Sequence, residues 1–156
     1  MILQHRLKGN SLNSGIEIDK QYSKLPLVEC FAGQLNQVFM NLLANAINAL
    51  EESCHQAPHL GMTNYRPTVN IRTQLVGDWV QISIKDNGIG MTEAVKTKLF
   101  DPFFTTKPVG KGTGLGLSIS YQIIEKHGGR LHCVSKPSIG SEFLIEIPIK
   151  QFQVKV

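Results

Sequence analysis

Three asparagines recur in the run Asn41-Leu-Leu-Ala-Asn45-Ala-Ile-Asn48-Ala49. At 100° per residue they fall within about 60° of one another on a helix. Asparagine is a poor helix former because its amide competes for backbone hydrogen bonds, so three on one ridge call for a reason. Amide oxygens are hard ligands that suit Mg²⁺, which takes few protein groups and completes its octahedron with phosphate oxygens and water. A solvated polar face would show the same spacing, so the ridge takes its meaning from the other segments. Asn45, with Asn41 one turn earlier, is the candidate metal-binding pair.

Asp86 ends an alternating stretch and enters Asn87-Gly88-Ile89-Gly90-Met91. Glycines allow positive φ and close approach of a ligand to the backbone. A carboxylate held there can accept a hydrogen bond from the exocyclic amine of adenine. Guanine presents a carbonyl at that position, so two acceptors would face each other. Asp-Asn-Gly is also an ordinary turn after a strand. Ser141, near the start of the last strand, is a candidate for holding a water near the base.

Gly112-Thr113-Gly114-Leu115-Gly116-Leu117 opens a helical stretch. Unpaired N–H groups and the positive dipole end make such a start a phosphate cradle. The glycines alternate and no Gly-Lys-Ser/Thr ending follows, so this is neither a Walker A loop nor a dinucleotide fingerprint. Lys107 and Lys111 lie just upstream, in a glycine-bearing loop that could close over phosphates. Phe100, Phe103 and Phe104 flank Pro102, either as buried anchors or as aromatics partly exposed for a partner. Together the segments could hold a metal, an adenine base and a triphosphate.

The elements that must position them follow from periodicity. Gln34 to Leu50 carries Leu35, Val38, Phe39, Leu42, Ala46 and Ala49 at helical spacing, giving an amphipathic helix with one buried stripe. Thr68–Val76 and Trp79–Lys85 alternate around Gly77-Asp78 and predict an antiparallel hairpin with Val80, Ile82 and Ile84 on one face. A short helix is expected over 93–99 and a longer one over 114–127, ended by Gly128-Gly129. Two strands follow, 130–135 and 141–148, the second with Phe143, Ile145 and Ile147 in the core. Residues 16–30 read as an edge hairpin and 51–67 as a surface loop broken by Pro58, Gly61 and Pro67. The sum is an α+β two-layer sandwich.

The 156 residues suit one domain, and 42% hydrophobic with 18% charged residues describe an ordinary globular chain. No run is long enough to span a bilayer. The net charge of +4 comes from scattered basic residues, which speaks against nucleic-acid binding. Cys30, Cys54 and Cys133 are too far apart for a zinc or redox motif, which fits a reduced cytoplasmic compartment. Pro58 and Gly61 break the helix on which His55 and His59 would form a ligand pair.

In order and spacing these segments resemble the catalytic ATP-binding domain of sensor histidine kinases, in the group that includes Hsp90, gyrase B and MutL. Asn41–Leu50 is similar to the N box, Asp86–Gly90 to G1, Phe100–Phe104 to the F box, Gly112–Gly116 to G2 and Gly140–Phe143 to a G3-like turn. The resemblance runs from about Leu25 to Ile149 and is strongest to the nitrogen-sensor-like branch, with its Phe-Phe-Thr-Thr-Lys lid. It implies the Bergerat fold, with helices on one face of a mixed, mostly antiparallel sheet. It also implies Mg·ATP as the bound species and Asn41, Asn45, Lys107 and Lys111 as the transfer machinery. Asn48, Ala49, Asp86, Gly88, Ile89, Gly90, Met91, Phe104, Thr105, the glycine run to Leu117 and Ser141 would line the nucleotide.

Gyrase, Hsp90 and MutL carry a water-activating glutamate four residues before the metal-binding Asn, and Asn41, which cannot take a proton, stands at that place here. The resemblance therefore implies phosphoryl transfer to a histidine on a separate dimerisation domain, and onward to a response regulator, rather than hydrolysis. A regulatory nucleotide module without transfer is the alternative, and a gyrase-like ATPase a weaker one. Asn48 and Thr105 stand where many members have a basic residue, so Lys107 or Lys111 would supply that charge. Residues 1–24 are expected to be a segment with an edge strand, following a phosphoacceptor region, 25–150 the catalytic domain and 151–156 a tail, with no membrane contact by this domain.

Overall fold

A computed structural model describes residues 15–56, 64–105 and 116–150. The elements run β1 (Glu17–Gln21), α1 (Ala32–Gln56), β2 (Thr68–Val76), β3 (Trp79–Asp86), α2 (Glu93–Lys98), α3 (Gly116–Lys126), β4 (Arg130–Lys136) and β5 (Gly140–Pro148). The five strands form one sheet in the order β1-β2-β3-β5-β4. All pairings are antiparallel except β1 with β2, which is parallel. The sheet is therefore mixed and mostly antiparallel, as expected.

Alternation decides the strands. On β5, Phe143, Ile145 and Ile147 are buried, and on β3 so are Val80 and Ile84, facing the helical layer. The opposite sheet face is polar: Gln74 donates to Gln81, and Ser83 to Glu142, across neighbouring strands. One-sided patterning of this kind fixes register, because a one-residue slip would turn the apolar set to water. On α1 the buried residues are Leu35, Val38, Leu42, Ala46, Ile47 and Leu50, the 3.6-residue stripe. All of these but Ile47 pack with Ile123 and Ile124 of α3 and with Ile84, Phe143, Ile145 and Ile147 of the sheet in one core.

Three sequence expectations are corrected. Residues 16–30 do not form a hairpin: β1 instead pairs with β2, with Glu17 opposite Thr68 and Gln21 opposite Arg72, and 25–30 is not a strand. The N-terminal edge strand is thus made by a long crossover through α1, which parallel pairing requires. The segment 51–67 is not all loop, because α1 runs on to Gln56 through Glu51 and Glu52. Its last turn needs no apolar residue to be helical, since it projects past the core. His55 lies in that last turn, and His59, Pro58 and Gly61 lie outside the described residues. Finally, β4 and β5 reach Lys136 and Gly140, one residue further each than periodicity gave.

His127 fastens the two main helices together. Its Nδ1 lies 2.7 Å from the Ile123 carbonyl, so this nitrogen carries the proton and donates. Its Nε2 then accepts from the Phe31 N–H at 3.1 Å, at the residue whose carbonyl begins α1. The Phe31 ring meets the imidazole edge-on at 5.6 Å. His127→Ala removes both bonds and opens a cavity, so it should cost about 3 kcal/mol in denaturant unfolding. A loss under about 1 kcal/mol would show that the fastening is dispensable.

Candidate functional site

A cavity of about 600 Å³ opens between α1, the β3–α2 turn and the start of α3. The α1 ridge forms one wall, with Asn41, Asn45, Asn48 and Ala49 all on the cavity. Asp86, Ile89, Gly90 and Met91 form the opposite end, joined by Ser141 from β5. Phe104, Thr105, Gly116 and Leu117 close a third side. Segments spread over 100 residues of sequence therefore meet at one concave surface, of a size that suits a nucleotide.

Gly88 is not on the wall but behind it. A Cβ there would sit 2.9 Å from the Ala49 Cβ, so its missing side chain lets α1 lie directly on the turn. Lys107, Lys111, Gly112, Thr113, Gly114 and Leu115 lie outside the described residues. Sequence reasoning missed Ala44, Glu52, Thr92, Val95, Leu99 and Phe143, which also line the cavity. Ala44 and Glu52 could have been found, since they flank the asparagine ridge on α1; Phe143 had been assigned to the core alone.

Asp86 is 4% exposed, and its Oδ1 accepts from the Gly88 N–H at 2.9 Å. Burial pushes its carboxyl up from 3.8 to about 6, against the pull of backbone donors at Gly88 and Ser141. The group is an acceptor with few partners, aimed into a cavity. Beside it, Ser141 Oγ lies 2.8 Å from Ser135 Oγ on β4. The Gly88–Met91 turn is clamped from behind: the Ile89 carbonyl accepts from Ser138 N–H at 2.7 Å and Met91 N–H donates to Ser135 Oγ at 2.8 Å.

At the other end, Asn41 spends both amide hydrogens on α3. Its Nδ2 donates to the Gly116 carbonyl at 3.1 Å and to Ser120 Oγ at 3.2 Å, while Ser120 itself donates to Gly116 at 2.8 Å. Only Oδ1 of Asn41 is left for another ligand. Asn45 makes no side-chain hydrogen bond with the described residues. Fully buried Ser120, which the sequence reading did not single out, thus ties the asparagine ridge to the first turn of α3.

The aromatics divide. Phe100 packs at the edge of the core and lies against Tyr121, ring centroids 5.0 Å apart. Phe103 is 72% exposed at φ 66°, a region costly for an aromatic residue. Phe100 is thus an anchor at the core's edge, Phe103 a surface residue, and Phe104 part of the cavity wall. Among the described residues there is no cluster of three His, Cys, Asp or Glu side chains suited to a metal, and no helix long and apolar enough to cross a membrane.

Known proteins are similar to this chain in sequence and in fold. Sporulation kinase E of Bacillus subtilis is 41% identical over 127 residues, 81% of this chain and 15% of that protein. Sensor kinase CckA of Brucella abortus is 36% identical over 155 residues, 94% of this chain and again 15% of that protein. The catalytic domain of histidine kinase ThkA superposes with a TM-score of 0.73 at 31% identity, covering 96% of this chain and 87% of that one. Residues 32–151, from the first turn of α1 to beyond β5, match one family model, with β1 outside the matched span. By that match and by its fold, the chain belongs to the histidine kinase-, DNA gyrase B- and HSP90-like ATPases.

Proposed function

We propose that the chain is the ATP-binding catalytic domain of a sensor histidine kinase. In this reading it binds ATP in the cavity and presents the γ-phosphate to a histidine on a dimerisation domain. The observation that carries the reading is the pairing of the buried Asp86 acceptor at one end of the cavity with the Asn45 amide and the start of α3 at the other. The base would lie against Ile89 and Met91 with its amine on Asp86, and the phosphates would run toward Gly116. Lys107 and Lys111, with Gly112 to Leu115, would complete the phosphate side.

The donor set fits a hard cation. Asn45 offers an uncommitted amide oxygen and Asn41 a free Oδ1, so these two would hold Mg²⁺, whose part is to neutralise phosphate charge. Asn41 has no basic lone pair for water, and its amide hydrogens are fixed on α3, so this residue cannot serve as the base for hydrolysis. The phosphohistidine would pass its group to a response-regulator aspartate, and in this reading the domain would work in the cytoplasm.

Phe103 is the residue we assign to docking on the phosphoacceptor helices, because an aromatic held exposed at positive φ is kept at a cost that its own fold does not repay. The test mixes ATP, labelled at the γ-phosphate, with the chain alone and with its dimerisation and phosphoacceptor segment. The chain alone should neither label itself nor turn over quickly, and the mixture should give an acid-labile, base-stable phosphohistidine. Phe103→Ala should cut transfer at least about tenfold with ATP affinity unchanged. Rapid hydrolysis by the isolated chain would favour the gyrase-like reading, and tight ATP binding without any transfer would favour a regulatory module.

A further inference from the structure

We propose that Ser135 is a positioning residue for base recognition, holding the Ser141 hydroxyl as a hydrogen-bond donor beside the Asp86 carboxylate. This rests on the adenine-site reading above. Ser135 is 3% exposed and is absent from the cavity wall, so it can act only through another residue. The register places it: Ser135 pairs with Ser141 across β4 and β5, and Ser141 pairs with Asp86 across β5 and β3. The three side chains therefore form one row across three strands, ending at the cavity.

Counting protons shows what Ser135 does. Its Oγ accepts from the Met91 N–H at 2.8 Å and has one proton to give. That proton goes either to the Gly140 carbonyl at 3.0 Å or to Ser141 Oγ at 2.8 Å. In the first arrangement Ser141 donates back to Ser135 and offers the cavity only lone pairs. In the second, Ser141 keeps its own proton for a ligand. The edge of adenine carries an amine donor next to a ring-nitrogen acceptor, N1. Asp86 complements the amine, and Ser141 in the second arrangement complements N1, directly or through one water. With the base bound, the second arrangement is the one assigned to the site: Ser135 donates to Ser141 Oγ, holding the hydroxyl in place and leaving its proton for N1.

The experiment compares ADP with 1-deaza-ADP, which lacks the N1 acceptor, by calorimetry on the whole chain. The parent should bind ADP about tenfold more tightly than 1-deaza-ADP. Ser135→Ala should lose that preference by weakening ADP alone, and Ser135→Thr, which keeps a hydroxyl, should restore it. Should the alanine variant fail to fold, Ser135→Cys, with its weak S–H donor, is read in the same way. Equal weakening of both nucleotides in a folded variant would reduce Ser135 to a structural prop and overturn the proposal. So would a preference that survives the substitution. A parent chain that binds both nucleotides equally overturns the proposal but leaves the site reading standing, whereas one that binds neither overturns both.

Discussion

Asp86→Asn is expected to yield a chain that is more stable than its parent and has lost most of its affinity for adenine nucleotides. The two effects share one cause. The Asp86 carboxyl titrates at about 6 in the fold instead of 3.8, with burial the dominant reason and the Gly88 and Ser141 donors only partly offsetting it. A carboxyl raised in this way binds its proton more tightly when folded, so stability rises as pH falls from about 6 toward 3.8. Above that window both states are ionised, and the fold bears the net cost of holding the charge, about 3 kcal/mol. Asparagine removes the charge and keeps an oxygen for the Gly88 N–H, now accepted at 2.9 Å. The variant should therefore gain about 1–3 kcal/mol near neutral pH.

Ligand binding runs the other way. An exocyclic amine donates to a carboxylate much better than to an amide that can turn its own N–H₂ toward it, and a charge-assisted bond is worth about 1.5–3 kcal/mol. The variant should lose about tenfold to a hundredfold in ADP affinity. In the parent, affinity should fall as pH drops through about 6, because adenine binds the ionised form. Paired unfolding curves at neutral and acid pH check the first effect: the variant's advantage must shrink once the parent's carboxyl is protonated. An advantage that persists at acid pH would mean that the charge is not what costs stability.

The trade between stability and binding at Asp86 could not have been read from sequence, although Asp86 itself could. A carboxylate before Asn-Gly marks a turn, but its exposure depends on Gly88 lying against Ala49 and on β5 closing beside it. The helices and the hairpin were legible for a different reason. The α1 stripe and the β2–β3 alternation are local signals, written within 20 residues of themselves, and each matches one period. β1 was misread because its partner, β2, begins some 50 residues later, and a parallel register leaves no local mark. The extension of α1 past Leu50 was missed because a helix end that leaves the core carries no apolar period.

Polar residues in the interior were the other blind spot. Ser120, Ser135 and His127 are each buried, and each joins two segments distant in sequence. On β4, Leu131 and Ser135 alternate to the buried side, a pattern that puts Ser135 inside but gives no hint of Met91 as its partner. Hydrogen bonds of this kind become visible only once the sheet order is known. They matter to the site because they lock the turns that present Asp86, Ser141 and Gly116.

Gly90→Ala is expected to be among the most damaging single-methyl changes at the described glycines. Gly90 has φ 68°, where a side chain costs roughly 1–2 kcal/mol by itself. Space makes the larger difference. A Cβ at this position would overlap the Lys136 carbonyl oxygen, lying 2.7 Å from its carbon and 3.2 Å from the Gly140 carbonyl oxygen. Both neighbours are backbone, held by the Ile89–Ser138 bond and by the turn bond from the Ile139 N–H to the Lys136 carbonyl, so neither can swing aside as a flexible side chain could. The turn must lift off the β4–β5 connection, which frees Met91 from Ser135 and opens the base end of the cavity. A loss of at least about 4 kcal/mol follows, the range reserved for broken packing and backbone strain together. Gly77→Ala is the matched control, since Gly77 has φ 59° but nothing within 4 Å of an added Cβ. It should cost only about 1 kcal/mol, the conformational part alone. Denaturant unfolding of the two variants separates strain from collision: if Gly90→Ala costs no more than Gly77→Ala, the β4–β5 turn does not press on Gly90, and the clamp behind the base end is not built as described.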